Sequence, residues 1–127
     1  MEKYTQTTQI DPKLRELIKI RASMINGCAY CVDITEHVLK IGVPDRKIFA
    51  LSVWRESDLF HEVEKAVMQL TDEITLISLA GVKDETYENV LKYFDEKLLA
   101  QIVMQIVVIN SWNRTAVSTK MIYKPAD

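Results

Sequence analysis

Apolar residues recur every three or four positions along most of the chain, which is the spacing of amphipathic helices. The longest such run shows its apolar side chains at Leu59, Val63, Val67, Leu70, Ile74 and Ile77. A second run, residues 14–25, follows Asp11-Pro12, an N-cap with proline in the first turn. The pattern predicts an all-α fold.

Turn-forming and capping residues divide the pattern into about six helices. Asn26-Gly27 interrupts the first one, Gly42 and Gly81 end two others, and Asp84 and Asp95 are candidate N-caps. The predicted helices are 11–25, 28–41, 44–51, 57–80, 84–94 and 95–109.

The last predicted helix is apolar nearly all round between Leu98 and Ile109. A helix of this kind is buried on most of its sides. In a chain of 127 residues, burial on all sides suggests an interface between subunits.

Length and composition fit one domain with a substantial core, since 48% of the 127 residues are hydrophobic and no linker or repeat divides them. Residues 1–10 are polar and predicted to be loose, residues 11–117 form the helical domain, and residues 118–127 form a tail. The first ten residues lack the apolar core of a signal peptide, and the most apolar stretch, Ile102–Ile109, is too short to span a membrane. We therefore expect a cytoplasmic protein.

The charge balance argues against two classes of partner. Sixteen basic and 18 acidic residues leave a formal net charge of −2, which gives no field for binding nucleic acid or an anionic membrane.

The only two cysteines, Cys28 and Cys31, lie three apart in the segment NGCAYCVD. Asn26-Gly27 turns the chain, so Cys28 falls in the first turn of the next helix, where free N–H groups and the helix dipole stabilise a thiolate. The spacing brings both thiols to one side of the helix, where a disulfide that is readily reduced can close. The pair is a candidate redox centre, and two buried structural thiols remain the alternative.

A metal site is disfavoured because zinc needs four ligands. Only His37 and His61 could complete a set with the cysteines, and they lie 24 positions apart. No cofactor is predicted.

Five segments together resemble the AhpD-like alkylhydroperoxidases of the carboxymuconolactone decarboxylase family, over about residues 11–117. They are RASMINGCAYCVD (21–33), GVPDRKIFALSVWRES (42–57), FHEVEKAVMQLTDEIT (60–75), YENVLKYFDEKLLAQIV (87–103) and INSWNR (109–114). The resemblance implies an all-α helical bundle that assembles into trimers or hexamers. It also implies reduction of hydroperoxides by the cysteine pair, with electrons from a dithiol donor such as a lipoyl or thioredoxin-type protein.

The resemblance also assigns roles to single residues. Cys31 would attack the hydroperoxide, Cys28 would resolve the product as a disulfide, and Glu16, twelve residues before Cys28, would belong to the proton relay. At the position of the family's relay histidine this chain has Thr35, which cannot act as a base near neutral pH. His37 is no replacement, because it lies about 240° round the helix from Cys31.

Two alternatives to peroxidase chemistry stay open. The first is a non-catalytic oligomeric family member that senses redox state or binds a small ligand, and the second, which ranks lower, is a decarboxylase. The tryptophan–arginine pairs Trp54-Arg55 and Trp112-Asn113-Arg114 are expected to pack and pair across helices.

Overall fold

A computed structural model of the chain describes residues 8–33 and 42–122, and all regular secondary structure in these ranges is helical. The α-helices are α1 Pro12–Ile25, α2 Ala29–Asp33, α3 Asp45–Ala50, α4 Glu62–Thr75, α5 Ile77–Ala80, α6 Asp84–Leu91 and α7 Glu96–Ser118. A short 3₁₀ helix, Leu51–Val53, follows α3. The all-α prediction is confirmed. Thr35 and His37 lie outside the described residues, as does most of the second predicted helix.

The two aspartate caps of the long helices α1 and α7 are confirmed. The Asp11 carboxylate accepts a hydrogen bond from the Lys13 amide at 2.9 Å, and the Asp95 carboxylate accepts one from the Leu98 amide at 2.8 Å. Asp84 differs, because it is the first residue of α6 and Lys83 is the N-cap.

The predicted start of the fourth helix, near Ser57-Asp58, is wrong. Ser57 Oγ accepts the Leu59 amide at 3.1 Å, which gives this segment a local turn instead of helix. The helix begins at Glu62 after the N-cap His61, whose amide donates to Glu64 Oε1 at 2.9 Å. A Glu at the third helical position that binds the N-cap amide is half of a capping box.

The same predicted helix is also split near its end. Leu76 has φ −100° and ψ 40°, outside the helical region, and separates α4 from the short α5. Seven α-helices therefore stand in the described residues where about six were predicted. The last helix, α7, runs on to Ser118, beyond the predicted limit at Ile109, and Asn113 and Ala116 are buried in this extension.

Helices α1, α4 and α7 form the centre of the fold. The first and last lie side by side in the same direction, because the Gln9 amide bonds Gln101 Oε1 at 3.1 Å near one end and Asn113 Nδ2 bonds Ser23 Oγ at 2.9 Å near the other. The largest fully buried side chains include Leu17, Ile18, Leu51, Met68, Leu70, Ile102 and Ile106. Burying each Leu or Ile contributes roughly 1.5–3 kcal/mol.

Helix α7 is not covered on all sides within one chain. Ile102, Ile106 and Ile109 are buried, whereas Met104 and Val107 are 40% and 39% exposed. Across the described ranges, none of the helices combines the length and apolar character needed to cross a bilayer.

Candidate functional site

Cys28 and Cys31 are joined by a disulfide, with their Cα atoms 5.3 Å apart. The prediction that the pair closes an intramolecular bond is confirmed. Cys28 is 1% exposed, whereas Cys31 is only partly buried. The two sulfurs therefore differ in access to solvent, with Cys31 the more accessible.

Among the described residues, no group of three or more His, Cys, Asp or Glu side chains is placed to hold a metal ion.

A tight turn after α1 sets the position of Cys28. The Asn26 amide donates to Ala22 O at 3.0 Å, and the Cys28 amide donates to Ser23 O at 2.9 Å. Between them Gly27 has φ +66°, a left-handed conformation that favours glycine. The chain thus leaves α1 at Ile25 and starts α2 at Ala29, with three residues between the two helices.

Cys28 immediately precedes α2 and takes part in its first turn. Its carbonyl accepts the Val32 amide at 3.1 Å, and its Sγ accepts the Cys31 amide at 3.2 Å. The predicted position at a helix start is confirmed. An amide aimed at Sγ favours negative charge on that sulfur when the bond is reduced.

A carboxamide network, buried at Asn110 and Asn113, holds the same turn from α7. Asn26 Nδ2 donates to Asn110 Oδ1 and to Asn113 Oδ1, each at 2.9 Å. Asn113 Nδ2 donates to Ser23 Oγ at 2.9 Å, and Arg114 Nη1 donates to Asn110 Oδ1 at 2.9 Å. The segment INSWNR therefore acts through these contacts with the turn before Cys28, which the sequence did not reveal.

A second network joins α1 to α4 through one buried carboxylate. Arg21 Nε and Nη2 donate to the two oxygens of Asp72 at 2.8 and 3.1 Å, and Trp54 Nε1 donates to Oδ2 at 3.1 Å. Arg55 lies 3.3 Å from the same oxygen, and its guanidinium stacks 4.4 Å from the centre of the Trp54 ring. The predicted packing and pairing role of Trp54-Arg55 is confirmed.

Glu16 lies on α1 and is 6% exposed. Its carboxylate is 3.5 Å from Lys19 Nζ, one turn further along the helix. Nine residues separate Glu16 from the end of α1 at Ile25, which is about 14 Å of helix. Position 35, where the resemblance places the group that would link Glu16 to the cysteines, is outside the described residues.

A cavity of about 390 Å³ opens between the start of α1, residues 42–47 and the start of α4. Its apolar lining includes Leu14, Leu17 and Phe94. The charges of Lys13 and Lys47 are balanced by Asp11 and Glu64, and Glu64 pairs with Lys47 at 2.6 Å. Neither cysteine lines it. The cavity is large enough for a small organic molecule.

Away from the cysteines, the Glu73 carboxylate accepts hydrogen bonds at the N-terminus of α6. Burial alone would raise its pKa, but hydrogen bonds from Gln69, the Lys83 amide and Thr86 Oγ1, together with the Lys83 charge, hold that pKa below the ordinary 4.5. Because its pKa is lowered in the folded protein, the charged form of Glu73 contributes to stability.

Comparison with known proteins supports the resemblance. The family model of the carboxymuconolactone decarboxylase family matches residues 2–73, more than half of the chain. YdfG, an uncharacterized protein of Bacillus subtilis, is 43% identical over 119 residues, which cover 93% of this chain and 81% of YdfG.

Solved structures agree in fold. A protein of unknown function from Agrobacterium tumefaciens, proposed to be the antioxidant defence protein AhpD, matches with a TM-score of 0.95 and 35% identity, over 98% of this chain and 86% of that one. The debrominase Bmp8 matches with a TM-score of 0.79 and 21% identity, over 97% of this chain and 66% of Bmp8. The first match confirms the AhpD-like helical fold, and the second is a likeness of fold alone.

Proposed function

We propose that this chain, which belongs to the carboxymuconolactone decarboxylase family, is an enzyme that reduces hydroperoxides through the thiols of Cys28 and Cys31. The observation that carries the proposal is the Cys28–Cys31 disulfide, in which one sulfur is buried and the other partly accessible. The Agrobacterium structure, with its proposed role in antioxidant defence, supports the same reaction class.

The accessible Cys31 is the attacking residue. Its thiolate attacks the terminal oxygen of the hydroperoxide, the O–O bond breaks, and the alcohol leaves after taking a proton, so that Cys31 becomes a sulfenic acid. Cys28 then attacks the Cys31 sulfur, water leaves, and the disulfide forms. A dithiol donor, such as a lipoyl or thioredoxin-type protein, returns two electrons and two protons and is itself oxidised to a disulfide.

Proton transfer is the step in which this chain departs from the family pattern. Glu16 is the acid–base group of the relay, and Thr35 stands where a histidine would link it to the cysteines. Threonine offers a hydrogen bond to a thiolate but no base, so we expect hydroperoxide turnover to be slow relative to thiol–disulfide exchange with the donor, which needs only a thiolate and a leaving thiol.

The reaction is proposed to take place in a homo-oligomer, a trimer or hexamer. Support comes from the exposed apolar side chains of α7, Met104 and Val107, and from Ile77 and Leu79 on α5, which are 57% and 76% exposed in the single chain. Apolar side chains that are exposed in a single chain can be buried between subunits.

The test is loss of an alkyl hydroperoxide in the presence of excess dithiothreitol, with the protein products identified by intact mass. We expect turnover by the native protein and none by Cys31→Ser, and a sulfenic acid at Cys31 when Cys28→Ser is treated with the hydroperoxide before dithiothreitol is added. Retained turnover in Cys31→Ser would assign the attack to another group.

A second candidate function, the binding of a small ligand without catalysis, is favoured by the 390 Å³ cavity. It becomes the better account if the native protein closes its disulfide but consumes no hydroperoxide.

A further inference from the structure

The oxygen and the nitrogen of the Asn113 carboxamide connect α7 to the turn that leads from α1 into Cys28. We call this turn, residues 26–28, the cysteine turn. Its oxygen accepts from Asn26 Nδ2 and its nitrogen donates to Ser23 Oγ, each at 2.9 Å. Asn26 lies two residues before Cys28, and the carbonyl of Ser23 accepts the Cys28 amide at 2.9 Å. Two hydrogen-bonded routes therefore lead from one side chain of α7 to the backbone at Cys28.

The Asn113 end of the network is buried, and its orientation is fixed. Asn113, Ser23 and Cys28 are 0%, 1% and 1% exposed, so water does not replace a lost bond at low cost. The Ser23 hydroxyl donates to Lys19 O at 2.7 Å, which leaves its oxygen to accept from Asn113. Because Asn113 must then present nitrogen to Ser23, it presents oxygen to Asn26.

We infer that Asn113 is a positioning residue that favours the Cys28–Cys31 disulfide over the dithiol. Closing a disulfide restricts two side chains and the backbone between them. If the turn already holds the Cys28 backbone, less freedom is lost on closure, and the two thiols have a higher effective concentration for each other. The inference rests on the proposed function, because only a pair that cycles between dithiol and disulfide makes use of this preference.

The experiment measures the equilibrium between the protein and dithiothreitol. Two electrons and two protons pass from dithiothreitol, which becomes its cyclic disulfide, to Cys28–Cys31, which becomes two thiols. The reaction is quenched with iodoacetamide, and intact mass separates the alkylated dithiol from the unmodified disulfide. The variants are Asn113→Leu and Asn26→Ala.

The matched control is Gln105→Met. Gln105 is also a buried carboxamide of α7, at 1% exposure, and its Oε1 has no hydrogen-bond partner within the described part of the chain. None of the contacts of the cysteine turn involves Gln105 in that part.

We expect Asn113→Leu to lower the equilibrium constant for disulfide formation about tenfold, from the loss of one buried and one partly buried hydrogen bond. A tenfold change is about 30 mV for a two-electron couple. Asn26→Ala removes the Asn113 link from the turn side together with the bond to Asn110, so its shift should have the same sign and should not add fully to that of Asn113→Leu. Gln105→Met should leave the constant unchanged.

Thermal unfolding of the oxidised and reduced forms separates positioning from packing. A packing role lowers both midpoints equally and leaves the equilibrium constant unchanged, and that result overturns the inference. If Asn113→Leu does not fold, Asn26→Ala decides by the same criterion. An unchanged constant in a protein that consumes hydroperoxide overturns the positioning role alone, whereas the tenfold shift in a protein without turnover overturns the peroxidase proposal alone.

Discussion

Replacing Asp72 by Asn tests the ion pair that joins α1 to α4. The Asp72 carboxylate is 7% exposed and receives hydrogen bonds from Arg21 and Trp54. Asparagine keeps one oxygen that can accept from Trp54. It removes the negative charge to which two nitrogens of the Arg21 guanidinium donate. The guanidinium would then be held in the protein without a counter-charge, apart from its bond to Leu51 O at 3.2 Å.

Breaking a buried ion pair by removing one partner costs about 3–5 kcal/mol. Arg21 keeps 14% of its side-chain exposure, so some solvation remains and we expect the lower end, about 3 kcal/mol. For a domain of this size that loss lowers the unfolding midpoint by roughly 10 °C. Urea unfolding followed by circular dichroism measures the free energy directly.

Two comparisons make the result specific to the pair. In an Arg21→Met background the buried guanidinium is absent and only the exposed Arg55 loses its ion-pair partner, so the cost of Asp72→Asn should fall to about 1 kcal/mol. Glu88→Gln, at an exposed position of α6, should change stability by less than about 0.5 kcal/mol. An equal cost of Asp72→Asn in both backgrounds would refute the ion-pair account.

Three further predictions concern pH, turnover and assembly. Because the pKa of Glu73 is lowered in the folded state, its contribution to stability is present above its ordinary pKa of 4.5 and is lost as the pH falls through the lower folded value; urea unfolding of Glu73→Gln should therefore show less acid destabilisation than native protein. Thr35→His should raise hydroperoxide turnover, by up to the roughly 10²–10⁴-fold typical of a positioned base, and adding Cys31→Ser should abolish the gain. Light scattering should give several subunits for native protein and a smaller mass for Met104→Glu/Val107→Glu, and a native monomer at micromolar concentration would contradict the interface.

Local features of the fold were predictable from the sequence because their causes are local. The Asp11 and Asp95 caps bind amides two and three residues away, and the turn at Gly27 lies within a few residues of the atoms it joins. Helix limits failed where a short-range contact competed with helical periodicity, as at Ser57, whose hydroxyl bonds the Leu59 amide although the apolar spacing continues.

The same difference between local and long-range contacts decides which parts of the candidate site were predictable. The spacing of Cys28 and Cys31 was enough to predict their disulfide, whereas the contacts that hold Cys28 join residues 84 and 87 positions apart, Asn26 with Asn110 and Asn113. The spacing of apolar residues along the chain does not indicate contacts between residues so far apart in the sequence. The motif INSWNR was the available signal, and it indicated that the segment mattered without indicating what it touches.

The geometry of the cysteine turn depends on more of the chain than its own motif. Helix α1 is fixed near its end by Arg21 on Asp72 of α4, and two and five residues later by Ser23 and the C-cap Asn26 on α7. The family match ends at residue 73, so it includes Asp72 and the cysteines but stops before Asn110 and Asn113. Two chains that match the family equally well over that region can therefore hold the same cysteine pair with different stiffness. If the carboxamide contacts favour the disulfide, then α7 partly sets how readily the cysteine pair accepts electrons. Similarity to the family over residues 2–73 alone does not determine that property.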